Sequence, residues 1–369
     1  MADTNIATGH ALTIEQWSAK LTQEMIYPLW FVQKGLVGTN GGVVIVNKDL
    51  TKTRGDTITF PQLARLTGSG IYGAQYHRGN EEALAFNSMS VVVNRFGHTI
   101  QCGDLISQQR TNVDLDGAGQ SALSQWGTDK LENRMAATVF GLLDPDGWGL
   151  VNTVTPSTNR MFYIGQTVGA TPTLSAAVAT DALLANATQA SYLFGTKVIN
   201  YMKRKAQDAK IEKIRVEGGE YYVIMGSHWQ IKALYEDGEW VSAQHNAANR
   251  GSSNPLFTGM AGIWNGCVIH EYERTPFREN GQYFHDSADL LATADRYVAR
   301  AALLGQRAVM LGWAKMPTFG RDFADYDQQK PVRTIDSILG MRATQYTDSS
   351  SATLEDYGRI LVDTQIIKD

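Results

Sequence analysis

Apolar residues recur at helical spacing at Ile14, Trp17, Leu21, Met25 and Leu29, behind a weak capping box of Thr13 and Gln16 and ahead of a disturbance at Pro28. Gly35–Gly42 (GLVGTNGG) then breaks the pattern, and Val43–Val46 is a short β-type run. The first forty residues thus read as an arm attached to a body. Ile58, Phe60 and Leu63 predict a strand ending near Pro61, and residues 89–102 (MSVVVNRFGHTIQC) predict a second extended segment. Between them, residues 67–88 are polar and glycine-rich. Two extended segments flanking so long a tip make a long hairpin, and compact domains seldom carry such a loop without a functional reason.

Further on, Ala122, Leu123, Trp126, Met135, Ala136, Val139, Phe140 and Leu143 follow an i, i+3/i+4 rhythm. They predict one long amphipathic helix over 118–143, weakened at Gly127 and stopped by Asp144–Gly147 (DPDG). Residues 148–180 are punctuated by Thr, Gly and Pro, and 181–210 alternate helix-like segments. Beyond 211 the pattern is mixed. EKIRV, Tyr221–Gly226 and Cys267–Tyr272 read as strands, WQIKALYED as a short helix, and YGRILVDTQI as a closing strand. Glu217–Glu220 and Asn265-Gly266 are turn signals. The fold class is α+β.

The 369 residues suggest two to three domains, with 43% hydrophobic and 19% charged residues supporting a sizeable core. A net charge of -4 does not favour a dedicated duplex-DNA binder. The longest uncharged stretch, Met161–Thr180, is too rich in Thr, Gly and Pro to be a membrane span, and no secretory signal is seen. Two cysteines, Cys102 and Cys267, fit a reducing compartment better than a disulfide scaffold.

Little in the chain points to chemistry. Gly68–Gly73 (GSGIYG) is a literal GxGxxG, but a dinucleotide site needs a helix directly after it, and AQYHRGNEE offers no apolar helical face. A flexible hairpin tip explains it better. His98 and Cys102 lack companions for a tetrahedral metal site, and a Cys102 nucleophile has no supporting context. The acid clusters Asp114/Asp116, Asp144/Asp146 and Asp322/Asp325/Asp327 miss the EF-hand spacing, and turns or solvated surface account for them. The basic run Lys203, Arg204, Lys205, Lys210, Lys213 and Arg215 has no interleaved aromatic platform for nucleic acid and reads as a solvated helix face or a contact with a neighbouring chain. No catalytic, cofactor or metal site is expected. What remains is architecture, and a protein that invests length in projecting arms uses them to hold other copies of itself.

Several segments, in order, resemble one family. Arg54–Phe86 (RGDTITFPQLARLTGSG…GNEEALAF), Arg95–Arg110 (RFGHTIQCGDLISQQR) and Ser121–Met135 (SALSQWGTDKLENRM) are similar to the N-four-like family of tailed-phage major capsid proteins. So are Lys213–Leu234, Asn254–Tyr272 and Arg300–Val309. One departure is Ser227-His228, where the family commonly has His-Pro after the strand.

The resemblance implies the Hong Kong ninety-seven-type phage coat fold. Its parts would be an N-terminal arm (1–50), an extended β-hairpin loop (51–103), and a peripheral domain (104–185) holding a long spine helix (118–143). A mainly axial domain (186–325) and a return to the peripheral domain (326–369) would follow. The implied function is a major capsid protein, forming hexamers and pentamers of an icosahedral head around double-stranded DNA, in virions assembled in the host cytoplasm. Implied partners are other copies, portal and scaffold proteins, decoration proteins and packaged DNA, with no membrane. Candidate intersubunit contacts are Arg54, Arg65, Arg78, Glu81, Glu82, Arg95 and Arg110. No lysine lies between Lys52 and Lys130, so a shell without covalent cross-links is expected, and so is the absence of a fused, cleaved scaffold segment. Two alternatives are a cellular nanocompartment (encapsulin-like) shell and a dinucleotide enzyme built on Gly68–Gly73.

Overall fold

In the computed structural model of the chain, the described residues are 25–38, 41–48, 55–63, 68–84, 86–112, 114–142, 144, 147, 149–152, 154–157, 159–165, 173–175, 193–216, 219–248, 262–274, 296–323, 330–347 and 354–367. The expected helix around Thr13–Leu21 lies outside them. The described part starts with α1 (Trp30–Gln33), β1 (Val37–Gly38) and β2 (Val44–Asn47), then the hairpin β3 (Thr57–Leu63) and β4 (Phe86–Val92). β5 (Asn94–Gln101), α2 (Leu105–Arg110) and α3 (Leu115–Phe140) follow, then β6 (Met161–Gly165), β7 (Thr173–Ser175), α4 (Thr196–Asp208), β8 (Ile214–Val216) and β9 (Gly219–Gly226). Next come α5 (His228–Glu236), α6 (Gly238–Ala248), β10 (Gly262–Trp264), β11 (Cys267–Glu271) and β12 (Arg296–Leu304). β13 (Val309–Phe323), β14 (Pro331–Ala343), β15 (Gln345–Thr347), β16 (Leu354–Asp356) and β17 (Arg359–Ile367) complete the order.

Two sheets organise the body. One runs β1-β2-β13-β14-β5; the other runs β10-β11-β9-β12-β17-β6-β7, with β8 paired to β9. The second sheet shows why its strands read as unbroken apolar runs. Successive side chains point to opposite faces, and here both faces are covered. Tyr222, Ile224, Leu303, Ile360 and Val362 enter one core with Val198, Ile199 and Met202 of α4 and Ile231 and Leu234 of α5. Val223, Met225, Ala302, Leu304 and Leu361 enter the other, with Leu131, Met135, Val139 and Phe140 of α3. The turn between β10 and β11 has Asn265 at φ 47° and Gly266 at φ 74°. Two successive positive φ values are what an Asn-Gly hairpin supplies.

The long helix is shifted from its expected bounds of 118–143. Asp114 caps it from outside, accepting the amide of Asp116, so it starts at Leu115. It stops at Phe140, before the expected end, because Gly141 adopts φ 69° and turns the chain. Its last carbonyls are fully engaged. Leu142 N donates to Ala137 O at 2.8 Å. Arg359 Nη1 donates to Thr138 O at 2.8 Å and Val139 O at 3.2 Å, and Arg300 Nη1 donates to Phe140 O at 2.9 Å. Arg300 is held by Asp363 in a bidentate pair at 2.8 and 3.0 Å, and Arg359 by Asp356 at 3.0 Å. Two buried Arg–Asp pairs therefore tie the helix end to the second sheet.

Three further differences have local causes. β3 continues through Pro61 to Leu63; its partner is the lone strand β4, and an edge strand tolerates a residue without an N–H. The segment 89–102 is divided between two strands. β4 ends at Val92 in the hairpin, while β5 pairs with β14 in the body. Ser227, the departure noted above, caps α5 in a reciprocal capping box with Gln230.

Candidate assembly surfaces

The β3–β4 hairpin pairs in register from Thr57↔Val92 to Leu63↔Phe86. Its inner residues Ile58, Phe60, Met89 and Val91 bury against Met310 of β13. The close approach depends on two glycines facing each other across β13 and β14, Gly312 and Gly340. A Cβ on Gly312 would sit 2.6 Å from Ile58 Cδ1, and one on Gly340 would strike the Val92 carbonyl. Polar bonds fix the same crossing. The Asn152 side chain accepts from Val92 N at 3.1 Å and donates to Val92 O at 2.9 Å, and Arg342 Nη1 donates to Ser90 O at 2.7 Å. The base of the loop is anchored to the body.

The tip is built differently. Residues 68–84 carry neither helix nor strand, and apart from half-buried Ile71 all their side chains are exposed. Tyr72 and Tyr76 are 86% and 83% exposed. The tip is shaped by short local bonds: Glu82 accepts from Gly68 N at 2.8 Å, Glu81 from Gly79 N at 2.7 Å, and Asn80 Nδ2 donates to Tyr76 O at 2.8 Å. Ordering a residue's backbone costs about 1–2 kcal/mol, and almost no apolar burial within the tip offsets that. The aromatic rings and Leu84 instead face outward, as contact surface does.

The seven candidate contact residues fall into four groups. Arg54 and Arg65 lie outside the described residues. Arg78, Glu81 and Glu82 stand on the tip, and Arg110 is exposed at the end of α2. Arg95 sits on β5, where Nε donates to Asp336 Oδ1 at 2.6 Å; Lys315 Nζ reaches Asp336 Oδ2, also at 2.6 Å. Burial pushes the Asp336 carboxyl up, but the hydrogen bonds from Lys315 and Arg95 outweigh it and hold the group below its ordinary range. Sequence reasoning missed Lys315 and Asp336, whose meeting depends on the long β13–β14 pairing.

The remaining candidates for chemistry are accounted for by packing. His98 stacks on Trp126 with ring centroids 4.6 Å apart. Cys102 and Cys267 are buried, and burial raises both thiols, Cys267 to about 11, which disfavours the nucleophilic thiolate. Asp114 is a helix cap, and Asp116 is clamped by Arg333, whose hydrogen bonds lower its pKa. Asp144 accepts from Leu150 N at 2.9 Å. Asp322 accepts from Phe323 N, while Asp146, Asp325 and Asp327 lie outside the described residues. Among the described residues, no group of three His, Cys, Asp or Glu could hold a metal ion, and no helix is long and apolar enough to cross a membrane. No helix follows Gly68–Gly73 within the tip, so the dinucleotide reading loses its required context. Part of the basic run is committed within the chain. Lys203 donates to Asn265 Oδ1, Arg204 and Lys205 lie over Tyr201, and Arg215 pairs with Glu220.

Comparison with known proteins agrees with this architecture. The profile of a family described as phage capsid protein matches residues 5–367. The major capsid protein of Pseudomonas phage KPP25 is 25% identical over 320 residues, covering 81% of each chain. The capsid protein in the solved capsid of Ralstonia phage GP4 superposes with a TM-score of 0.72 at 22% identity, over 100% of this chain and 99% of that one. The Cyanophage Pam1 capsid asymmetric unit gives 0.67 at 19% identity over 100% of both chains. The fold is the Hong Kong ninety-seven-type phage coat fold expected from the sequence. A family match running nearly end to end, on a body that carries this fold, makes the chain a member of the phage capsid protein family.

Proposed function

We propose that this capsid protein is the major coat subunit, that it acts through geometry and not catalysis, and that hexamers and pentamers of it close an icosahedral head around double-stranded DNA. The observation that carries this reading is the β3–β4 loop. Its base is fixed to the body by buried apolar contacts and by close backbone approach at Gly312 and Gly340, while its tip presents exposed tyrosines and charges. A fixed stalk with an unburied end gains order by lying on another subunit. Each such contact is modest, and a closed shell sums many of them, so the assembly is hard to reverse. The reading extends to portal and scaffold proteins as partners during assembly in the host cytoplasm, to decoration proteins on the outside, and to non-specific contact with packaged DNA. No observation favours the nanocompartment alternative over a phage head, since the family and the relatives above are phage capsids.

The test is to replace residues 68–84 with a short Gly-Ser turn. The variant is expected to keep the far-ultraviolet circular dichroism of the parent and to sediment as unassembled protein. Shells formed at the parent's yield would show that the tip has no part in assembly.

A further inference from the structure

The basic run that ends α4 is only partly engaged within the chain, and the rest of it lines a cavity. A concavity of about 990 Å³ lies between the glycine-rich segment before β2 and the stretch Lys210–Arg215. Backbone and side-chain bonds tie its walls together. Arg307 N donates to Gly42 O at 3.0 Å, Gln306 N to Glu212 O at 2.9 Å, and Gln306 Nε2 to Lys213 O at 2.7 Å. The helix closes in a Schellman turn, with Ile211 N donating to Ala206 O and Lys210 N to Gln207 O, both at 2.9 Å. The residue that turns left in this motif is ordinarily glycine, yet Lys210 does so at φ 53°. A side chain is strained there, and such strain is characteristic of positions where a group must be placed. Among the described residues, no ion pair engages Lys210 or Lys213. Arg215 pairs with Glu220 at 3.2 Å, but the two side chains are 81% and 52% exposed, and such surface pairs are weak. One turn back from Gln207, Lys203 donates to the neutral Oδ1 of Asn265 and keeps its charge. In the lining, Lys210, Lys213 and Arg215 stand against Glu212 and Glu220, which leaves an excess of positive charge.

We infer that this cavity receives the sugar–phosphate backbone of packaged duplex DNA, with Lys210 and Lys213 on its phosphates. The inference rests on the coat reading and names the face of the subunit that meets the contents of the head. A duplex turns its phosphates outward, and lysines that neutralise them release bound counterions, so no base need be touched. The absence of interleaved aromatic residues, which single strands require, is therefore no obstacle. Gly35, Gly38, Gly41 and Gly42 keep the facing wall free of side chains and let a bulky sugar–phosphate chain approach it. Contact with so few phosphates is weak in one subunit, in keeping with a net charge of -4, and is multiplied over the inner surface of a shell.

Titrating the unassembled full chain with a labelled duplex of about 20 base pairs, read by fluorescence anisotropy across a salt series, tests the site. The parent is expected to bind with a logarithmic salt slope of about −2, since each neutralised phosphate contributes about −0.9. Lys210→Gln with Lys213→Gln is expected to weaken binding at low salt about tenfold and to bring the slope close to zero, while a control of equal charge, Lys130→Gln with Lys232→Gln, stays within about twofold of the parent. Lys210→Gly separates binding from structure. It relieves the left-handed turn, so the urea midpoint is expected to hold or rise while affinity for the duplex falls. Closed parent shells offered the same duplex from outside are expected to leave it free, and polyglutamate of similar length to displace it only at about tenfold higher charge concentration. A parent that ignores the duplex, lysine variants that bind it like the parent, shells that bind it on the outside, or polyglutamate that displaces it equally would each overturn the assignment and leave the coat reading standing. A parent that binds duplex through these lysines but never assembles would overturn the coat reading and keep the phosphate contact.

Discussion

The end of α3 gives a quantitative handle on what holds the body together. Arg300 is 7% exposed and Asp363 fully buried, joined by two hydrogen bonds, with the third bond going to the carbonyl of Phe140. Arg300→Ala removes the guanidinium and leaves the Asp363 carboxylate inside the sheet and Phe140 O without its donor. Breaking a buried pair on one side costs about 3–5 kcal/mol, a large part of the roughly 5–15 kcal/mol that holds a typical domain folded. Arg300→Met combined with Asp363→Leu removes both charges and fills the space. Such replacements are neutral or stabilising by about 1–4 kcal/mol, set against about 1–3 kcal/mol for the orphaned carbonyl. The double variant is therefore expected within about 2 kcal/mol of the parent, well above the single variant. Urea unfolding of the unassembled chain, followed by tryptophan fluorescence, reads both. A single variant within about 1 kcal/mol of the parent, or a double variant as unstable as the single, would refute the reasoning.

The other expectations are simpler. His270 packs edge-on to Trp30 with centroids 5.4 Å apart, beside Tyr272 and facing the charge of Lys34; burial first, and Lys34 second, push it down to about 4. The unfolded imidazole titrates near 6.5, so its contribution is whole above that pH and is lost as pH falls toward 4, by about 3 kcal/mol at the lower end. His270→Phe should flatten the change in urea midpoint between pH 7 and 4.5, and an unchanged slope would contradict this. Because the loop carries no lysine between Lys52 and Lys130, particles boiled in detergent should run as one band near 40.6 kDa; a ladder of larger species would mean covalent cross-links.

Much of this fold is local and therefore legible. α3 is visible through periodicity because its first turns bury one stripe, while its last turns, Arg134–Phe140, are buried on every side; its bounds differ from the apolar pattern because Asp114 caps it from outside and Gly141 ends it. β9 and β17 carry the apolar runs Tyr221–Met225 and Ile360–Val362 because both of their faces are covered, whereas β12, rich in alanine, carries no strand signal. β13 and β14 are less visible. Gly312, Lys315, Pro317 and Gly320 interrupt the alternation, and the register shifts twice between Trp313 and Thr318. The Arg300–Asp363 pair spans 63 positions, and Arg95, Lys315 and Asp336 meet only through the same long strands. Nothing in their immediate sequence marks them. The tip could be read from composition alone, since glycine and charge without an apolar face leave no other home for Tyr72 and Tyr76 than a surface. Which surface is a matter of tertiary structure.

The central claim is that the chain works by joining copies of itself into a closed container. Electron microscopy of the purified full-length protein, expressed alone and with a scaffold partner, tests it most directly. Closed, thin-walled particles of uniform size built from hexameric and pentameric units are the expected result, and a protein that stays dispersed and never closes under either condition would contradict the account.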